Sequence, residues 1–550
     1  MKKLQNGAEL ALRGILLAVF LPVLVCVVWI GNGMGYWDGM KMDVLLPNRV
    51  LFVAALAGMG VCVLLCRKSR GMHLSGGDNA AVNGLLILLF AVLCFVNWVV
   101  VGKIAFELPW DIMMVRSVAE KFALGEELGS YNYLSIYPNN IPISYILGRL
   151  CRKAVRAGDF FAGEMVWIRL SCVLVSIGGY FSCLTVKKLT GNLAAVITAF
   201  LLYLALAGIS PWKIAPYTDI YGMVFPVMCV YFYLCYRMHG KDFFRFLYLA
   251  LSLVCVMAGG LIKPSVYVVL IALMGIELLA LLGNFRKQWK FMVADVLIVA
   301  ALACGGGAVR DFMIRELGLQ YNSELGASWQ TYLYMGQNEG TTGGYNSEDV
   351  AIIGEFQFSR KERNQAALEG ALQRMEDRGF WGCLYFWLKK MVMVFNDGAF
   401  GWRTEVWVYG GIPEEAGGSQ ELTEWLRDVF WPGGGRVGRY NTFCQLAWIF
   451  CMLGITGICV KRTEGEREYG ILALSFLGIF FYQMLFEARA RYLLVFLPLL
   501  TAVSVCGIWR YAAGGSALWE LVGMRARARK GNKNEKQEEQ HGTTGSGAEK

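Results

Sequence analysis

The sequence predicts an all-α, polytopic membrane protein with about twelve transmembrane helices and amphipathic surface helices in its first outer loop. Three observations carry that prediction. Of the 550 residues, 56% are hydrophobic and the mean hydropathy is +0.46, more apolar surface than a soluble core could bury. Continuous apolar runs of roughly 17 to 22 residues, the length that crosses a bilayer, recur along the chain. Lys and Arg fall in short clusters between those runs, in a pattern that places both termini on one side.

The runs lie at 12–30, 48–66, 84–102, 165–186, 190–208, 217–236, 246–262, 264–283, 291–309, 441–460, 469–486 and 491–510. Residues 1–83 read as an N-terminal two-helix membrane segment. The first run is followed by Gly31 to Tyr36 without a small-residue cleavage pattern, so it reads as a retained anchor. Residues 84–310 form a transmembrane core that carries a long outer loop, 103–164. In that loop "FELPWDIMMVRSVAEKFALGEE" places Ile112, Val115, Ala119 and Phe122 at helical spacing, which predicts a short amphipathic helix on the membrane surface. "NNIPISYILGRLCRKAVRAG" predicts a second, with Arg149, Arg152, Lys153 and Arg156 on a basic face toward anionic headgroups.

Residues 311–440 read as an exoplasmic and interfacial segment. Its middle, "MGQNEGTTGGYNSEDVA" (335–351), has the Gly, Asn and Thr content of a binding loop. "GFWGCLYFWLKKMVMVFN" (379–396) is long enough to span but is split by Lys389 and Lys390, and counting it as a span would put the basic tail out of register. It is therefore placed in the interface. Residues 441–510 supply the C-terminal transmembrane helices, and the charged, Gly/Ser-rich segment 525–550 reads as a disordered cytoplasmic tail. No internal repeat is evident.

"CRKSR" (66–70), "KK" (187–188), "YRMHGKDFFR" (236–245), "NFRKQWK" (284–290), "KRTEGERE" (461–468) and "RARARK" (525–530) all fall on one side, which the positive-inside rule makes cytoplasmic in the cell membrane. The net charge of +10 is thus mainly a topology signal, and the scattered basic residues form no nucleic-acid patch. The sixteen cysteines, among them Cys26, Cys94, Cys172, Cys255 and Cys506, lie mostly inside the runs without a C-x-x-C pair and read as packing residues.

His73, His239 and His541, the three histidines, face the cytoplasm in this topology. Chemistry at the outer face then needs a carboxylate as base and Lys, Arg or a metal as cation. Asp111 follows the third run and reads either as a base or as the cap of the surface helix, with Glu107 as a possible partner and Lys103 at the membrane boundary. Asp219, in "ISPWKIAPYTDIYGMVFPV", begins a span, where a carboxylate is expensive unless it is paired or faces a wet cavity; capping is its bland reading. Lys263 in "GGLIKPS" and Glu487, Arg489 and Arg491 in "FEARARYLLVFLPLL" lie outside, where positive charge is not the default. They suit an anion, or else snorkelling plus a Glu487–Arg pair that staples two helix ends.

"LPWDIMMV", "YPNN" (Tyr137, Pro138, Asn139, Asn140), "SPWKIAPYTD", "IKPS" and "EARARYL", in that order and on one side, together resemble the bacterial GT-C class of integral-membrane glycosyltransferases, the group around protein O-mannosyltransferases and lipid A aminoarabinose transferases. The resemblance covers 84–265 and 470–500. It implies a GT-C-like fold and transfer of a sugar from a polyprenyl-phosphate donor to a glycan, lipid or protein acceptor at the outer face. Asp111 would be the general base, and "YPNN" would shape the loop beneath the donor. A single first-loop acid, followed by Ile112 where relatives have an acidic pair, leaves use of a divalent metal such as Mg or Mn open. Segment 310–440 matches no part of the class. A transporter or flippase of lipid-linked saccharides and a polysaccharide polymerase or ligase are the competing readings.

Overall fold

In hydrocarbon there is no water to satisfy backbone N–H and C=O groups, so an apolar run has to satisfy them within its own helix. The computed structural model, which describes residues 2–30, 44–71, 76–283, 285–355, 359–406, 419–460 and 466–514, is accordingly helical throughout. Its strand geometry is confined, among the described residues, to an isolated bridge between Gly129 and Leu319.

Ten described helices are long and apolar enough to cross a membrane, and two shorter apolar helices complete the set. In chain order they are α1 (Gly14–Ile30), α2 (Asn48–Lys68), α3 (Asp78–Ile104), α4 (Phe160–Thr190), α5 (Leu193–Gly208), α6 (Thr218–Met238), α7 (Asp242–Ile262), α8 (Pro264–Leu281), α9 (Trp289–Glu316), α10 (Val437–Cys459), α11 (Glu468–Leu485) and α12 (Ala490–Gly514). Each coincides with one of the apolar runs read from the sequence. The anchor-flanking segment Gly31–Tyr36, His73, His541, most of the 461–468 loop and the tail 525–550 lie outside the described residues.

Burial orders the bundle. The apolar window of α12 is 94% buried and that of α9 only 6%, so α12 is the central helix and α9 runs along the periphery. Small residues let α10 and α12 approach closely: a Cβ at Gly457 would meet the Gly507 carbonyl oxygen at 2.1 Å. The N-terminal pair is part of this packing. α2 lies against α10 and α12, and the Asn48 amide at its start donates to Val27 O at 2.7 Å and to Asn396 Oδ1 at 2.8 Å.

Between α3 and α4 stand the helices Asp111–Leu124 and Asn140–Arg156. Ile112, Val115, Ala119 and Phe122 are all buried, as their spacing predicts. A satellite cluster of Val118, Phe122, Leu128, Leu134, Ile141, Leu317 and Leu319 fixes this loop to the C-terminal end of α9. The basic face of the second helix is not free for headgroups. Arg149 is paired with Glu316 and lies over the rings of Tyr145 and Phe122, Arg152 stacks on Phe122, and Arg156 Nε donates to Ala123 O at 2.8 Å. Aromatic rings and a carbonyl absorb the charge that the sequence assigned to lipid; Lys153 alone of the four side chains has no contact of this kind and is exposed.

The segment 379–396 is outside the set of candidate spans. It continues the helix Arg360–Phe395 beyond a break at Gly379, whose φ of 61° is a left-handed value that glycine adopts without a Cβ clash. Phe380 and Trp381 are exposed, while Phe395 is buried and its carbonyl accepts from Trp448 Nε1 in the middle of α10.

Candidate functional site

The loop that leaves α3 reaches Trp110 with φ 56° and ψ −134°, a backbone conformation that strains any residue with a Cβ. This turn sets Asp111 at the first position of its helix. The capping reading fails: Trp110 occupies the cap position, and no side chain caps the helix. The Asp111 carboxylate instead accepts from Tyr133 Oη on Oδ1 at 3.0 Å and from Tyr217 Oη on Oδ2 at 3.1 Å. Asn140 Nδ2 donates to Tyr133 Oη at 2.6 Å, and Asn139 Nδ2 to Asn140 Oδ1 at 3.2 Å. Burial, then the neighbouring Tyr217 and Asp111, pushes the Tyr133 hydroxyl far above its ordinary range, so it keeps its proton and remains a donor. The Asn pair of "YPNN" is thus the support of a tyrosine that orients the carboxylate.

Facing this carboxylate is a cationic wall. Lys263 Nζ lies 2.7 Å from Asp219 Oδ1 and 4.4 Å from the centre of the Tyr492 ring. Arg491 Nε lies 3.6 Å from Asp219 Oδ2 and 3.4 Å from Glu405 Oε2, with its guanidinium 4.6 Å from the Trp110 ring centre. Arg489 reaches Glu405 Oε2 at 3.5 Å and Glu487 Oε1 at 3.8 Å. The stapling pair foreseen for Glu487 is therefore the longer of the two Arg489 contacts, and Glu487 is held by Tyr492 Oη at 2.6 Å. Three carboxylates balance three cations. The arginine contacts are long, however, and Arg491 Nη1 is buried with no hydrogen-bond partner, so donor capacity is left over for an anion.

Carboxylate and cations line one cavity of about 1110 Å³, together with Tyr137, Pro138, Asn139 and Asn140. Leu261 of α7, Tyr267 of α8 and Arg310 of the peripheral α9 form one flank. Tyr332, Met335 and Tyr345 form another. That flank is clamped to the α11–α12 link. Lys390 Nζ donates to Gly336 O at 2.8 Å, Met484 O at 3.0 Å and Phe486 O at 2.8 Å, and Ala488 N donates to Gly343 O at 2.9 Å. Burial drives the Lys390 amine well below the usual lysine range. Among the described residues, the non-glycine positions at positive φ, Trp110, Thr342 and Phe400, all sit in segments around this cavity.

Two sequence candidates are placed elsewhere. Asp219, 2% exposed, does not line the cavity and stands behind Lys263 and Arg491, where it positions them; neither is it a cap. Glu107 is not a partner of Asp111: it faces solvent and Arg116, which also pairs with Glu120 and Glu164. Lys103 is buried against Thr423. Sequence reasoning missed Tyr133, Tyr217, Glu405 and Lys390. The two tyrosines flank the Pro-containing turns already singled out; Glu405 carries no sequence signal.

A divalent metal does not fit. Among the described residues no three His, Cys, Asp or Glu side chains converge on a common point, the Asp111 oxygens are taken by tyrosine hydroxyls, and the other carboxylates face cations.

Fold and cavity define a multi-pass integral membrane protein. Residues 40–508 match the family model described as conserved hypothetical integral membrane protein, and the chain belongs to that family. No curated protein and no solved structure matches the chain.

Proposed function

We propose that the protein is a glycosyltransferase of the cell membrane, with both termini cytoplasmic, that moves a sugar from a polyprenyl-phosphate donor to a hydroxyl of a glycan, lipid or protein acceptor at the outer face. The observation that supports this most is the pairing, in one cavity, of an oriented carboxylate with a wall of three cations. Asp111 takes the proton of the acceptor hydroxyl as that oxygen bonds to the anomeric carbon; the bond from that carbon to the phosphate oxygen breaks, and the phosphate leaves with the electron pair. Lys263, Arg489 and Arg491 stabilise the charge that grows on the departing phosphate. Inversion at the anomeric carbon follows from this single displacement. Tyr133 and Tyr217 hold the carboxylate's orientation.

The test is to incubate the protein in nanodiscs with a panel of polyprenyl-phosphate sugars and acceptors and to follow polyprenyl phosphate. Release that depends on Asp111 supports the reading. Movement of intact donor between leaflets of proteoliposomes without release selects a flippase instead.

A further inference from the structure

The inner half of the bundle holds buried charges that the outer cavity does not use. Glu277 of α8, 1% exposed, is fully partnered: Tyr233 Oη donates to Oε1 at 2.7 Å, Tyr236 Oη donates to Oε2 at 3.2 Å, and Arg237 Nη1 lies 3.5 Å from Oε1. Asp295 of α9 is 0% exposed, and neither of its carboxyl oxygens has a hydrogen-bond partner. The charge that acts on it is that of Glu277, and Tyr236 is also within its field.

The described bases of the neighbouring helices make other contacts, although Arg245 Nε is buried without a hydrogen-bond partner. Arg245 of α7 lies over the Phe291 ring at 3.9 Å, one turn before Asp295, and pairs with Asp242 at 3.6 Å. Lys290 pairs with Asp242 at 2.6 Å. Arg237 serves Glu277 and feels Glu468. Asp295 is thus a carboxyl without a donor, beside a second carboxylate that already has its cation. Ionising both would bury two like charges in a low-dielectric interior. A bound metal cation has too few ligands here, because no third His, Cys, Asp or Glu of the described residues joins the two.

We propose that Asp295 is a proton-binding site within the membrane, a fully buried carboxyl that has no hydrogen-bond donor among the described residues. It is carried by α9, the least buried of the ten candidate spans.

Dicyclohexylcarbodiimide tests this on the full chain in detergent or nanodiscs, because the reagent partitions into apolar regions and requires a protonated carboxyl. The carboxyl proton passes to a carbodiimide nitrogen while the carboxyl oxygen bonds to the central carbon. The O-acylisourea then rearranges to a stable N-acylurea, an addition with no leaving group. Peptide mass spectrometry should find the adduct on Asp295 and not on Glu277, decreasing as pH rises and unchanged by sodium chloride; Asp295→Asn should abolish it. Absence of the adduct at every pH in monodisperse protein would overturn the proposal. So would an adduct on Glu277 alone, or protection by sodium. An adduct that forms only in Arg245→Ala would identify an Arg245–Asp295 ion pair and equally overturn it.

Discussion

The Tyr217 hydroxyl donates to Asp111 Oδ2 at 3.1 Å, which ties the residue just before α6 to the first outer loop at the carboxylate itself. Tyr133 occupies the other oxygen. Two donors fix the direction of the carboxylate, which is what a group that must meet an incoming hydroxyl requires.

Asp111→Asn keeps this shape and cannot take a proton. The variant is expected to accumulate normally, bind donor lipid and transfer sugar about 10²- to 10⁴-fold more slowly, the usual cost of losing a general base. Single-turnover assays with saturating donor measure this directly. Turnover near the parental rate would remove Asp111 from the mechanism, and since Asp219 does not line the cavity, Glu405, which does, would be the next residue to test.

Arg491 lies over Trp110 with its Nε near both Asp219 and Glu405 and its Nη1 without a partner, so the rest of its planar fork is left for an anion. Arg491→Lys keeps the charge and loses the fork. Donor affinity is expected to weaken about tenfold, in line with one lost charge-assisted hydrogen bond. Arg489→Lys should act in the same direction with a smaller effect, because its contacts are longer and it is more exposed. Unchanged donor binding in both variants would reduce the arginines to helix staples.

What was legible in the sequence follows from which signals are local. Hydrocarbon thickness imposes a length on every span, so the apolar runs marked all twelve helices, including the two short ones. Asp111, Lys263, Glu487, Arg489 and Arg491 could be found because polar groups at span ends require a reason. The role of Lys390 was not legible for the opposite cause: beside Lys389 it marks a charge within an apolar run, while its partners are carbonyls where α11 gives way to α12, far away in sequence. Glu405 and the fate of Arg149, Arg152 and Arg156 likewise depend on tertiary contacts with residues that no periodicity connects.

Sidedness is open to a direct measurement. Glu339, exposed in the 335–351 loop, and Lys290, beyond the start of α9, lie at opposite ends of the bundle. With the charge pattern putting Lys290 inside, Glu339→Cys is expected to react with an impermeant maleimide in intact cells, above the background of the parental cysteines, and Lys290→Cys only after lysis. The reverse result would invert the topology and move the cavity to the cytoplasmic face.

Asp397 provides a pH signature. It is buried and accepts from Ala399 N and Gly401 N, both at 2.7 Å, yet burial still pushes its carboxyl up to about 6. Unfolded, the group titrates near about 4. Between those values the folded state holds more protons, so this group's contribution to stability falls as pH rises through the window and is greatest at the acid end. Thermal unfolding of the parent, minus that of Asp397→Asn, is expected to show a relative gain for the parent on acidification; a difference independent of pH would mean that the carboxyl does not titrate there.

The last prediction concerns the clamp between the Gly-rich loop and the cavity. Lys390 donates to three carbonyls, one of them at the end of α11 and one in the link that carries Glu487 and Arg489. Gly343 meets the same amine from the other side: its φ is 77°, and a Cβ there would stand 2.7 Å from Gly336 O and 2.8 Å from Lys390 Nζ. Lys390→Met strands the carbonyls, at about 1–3 kcal/mol for each that stays dry. Gly343→Ala drives the same loop away by clash and by backbone strain. Each variant is expected to lose thermal stability and to gain protease cleavage within 336–346, with sugar transfer lowered because Tyr345 and Glu487 no longer face one another across a fixed wall. Since both act on a single contact, their effects should fall well short of additive in the double variant. Full additivity would show that Lys390 and Gly343 stabilise separate parts of the protein and that the loop is not held by the amine.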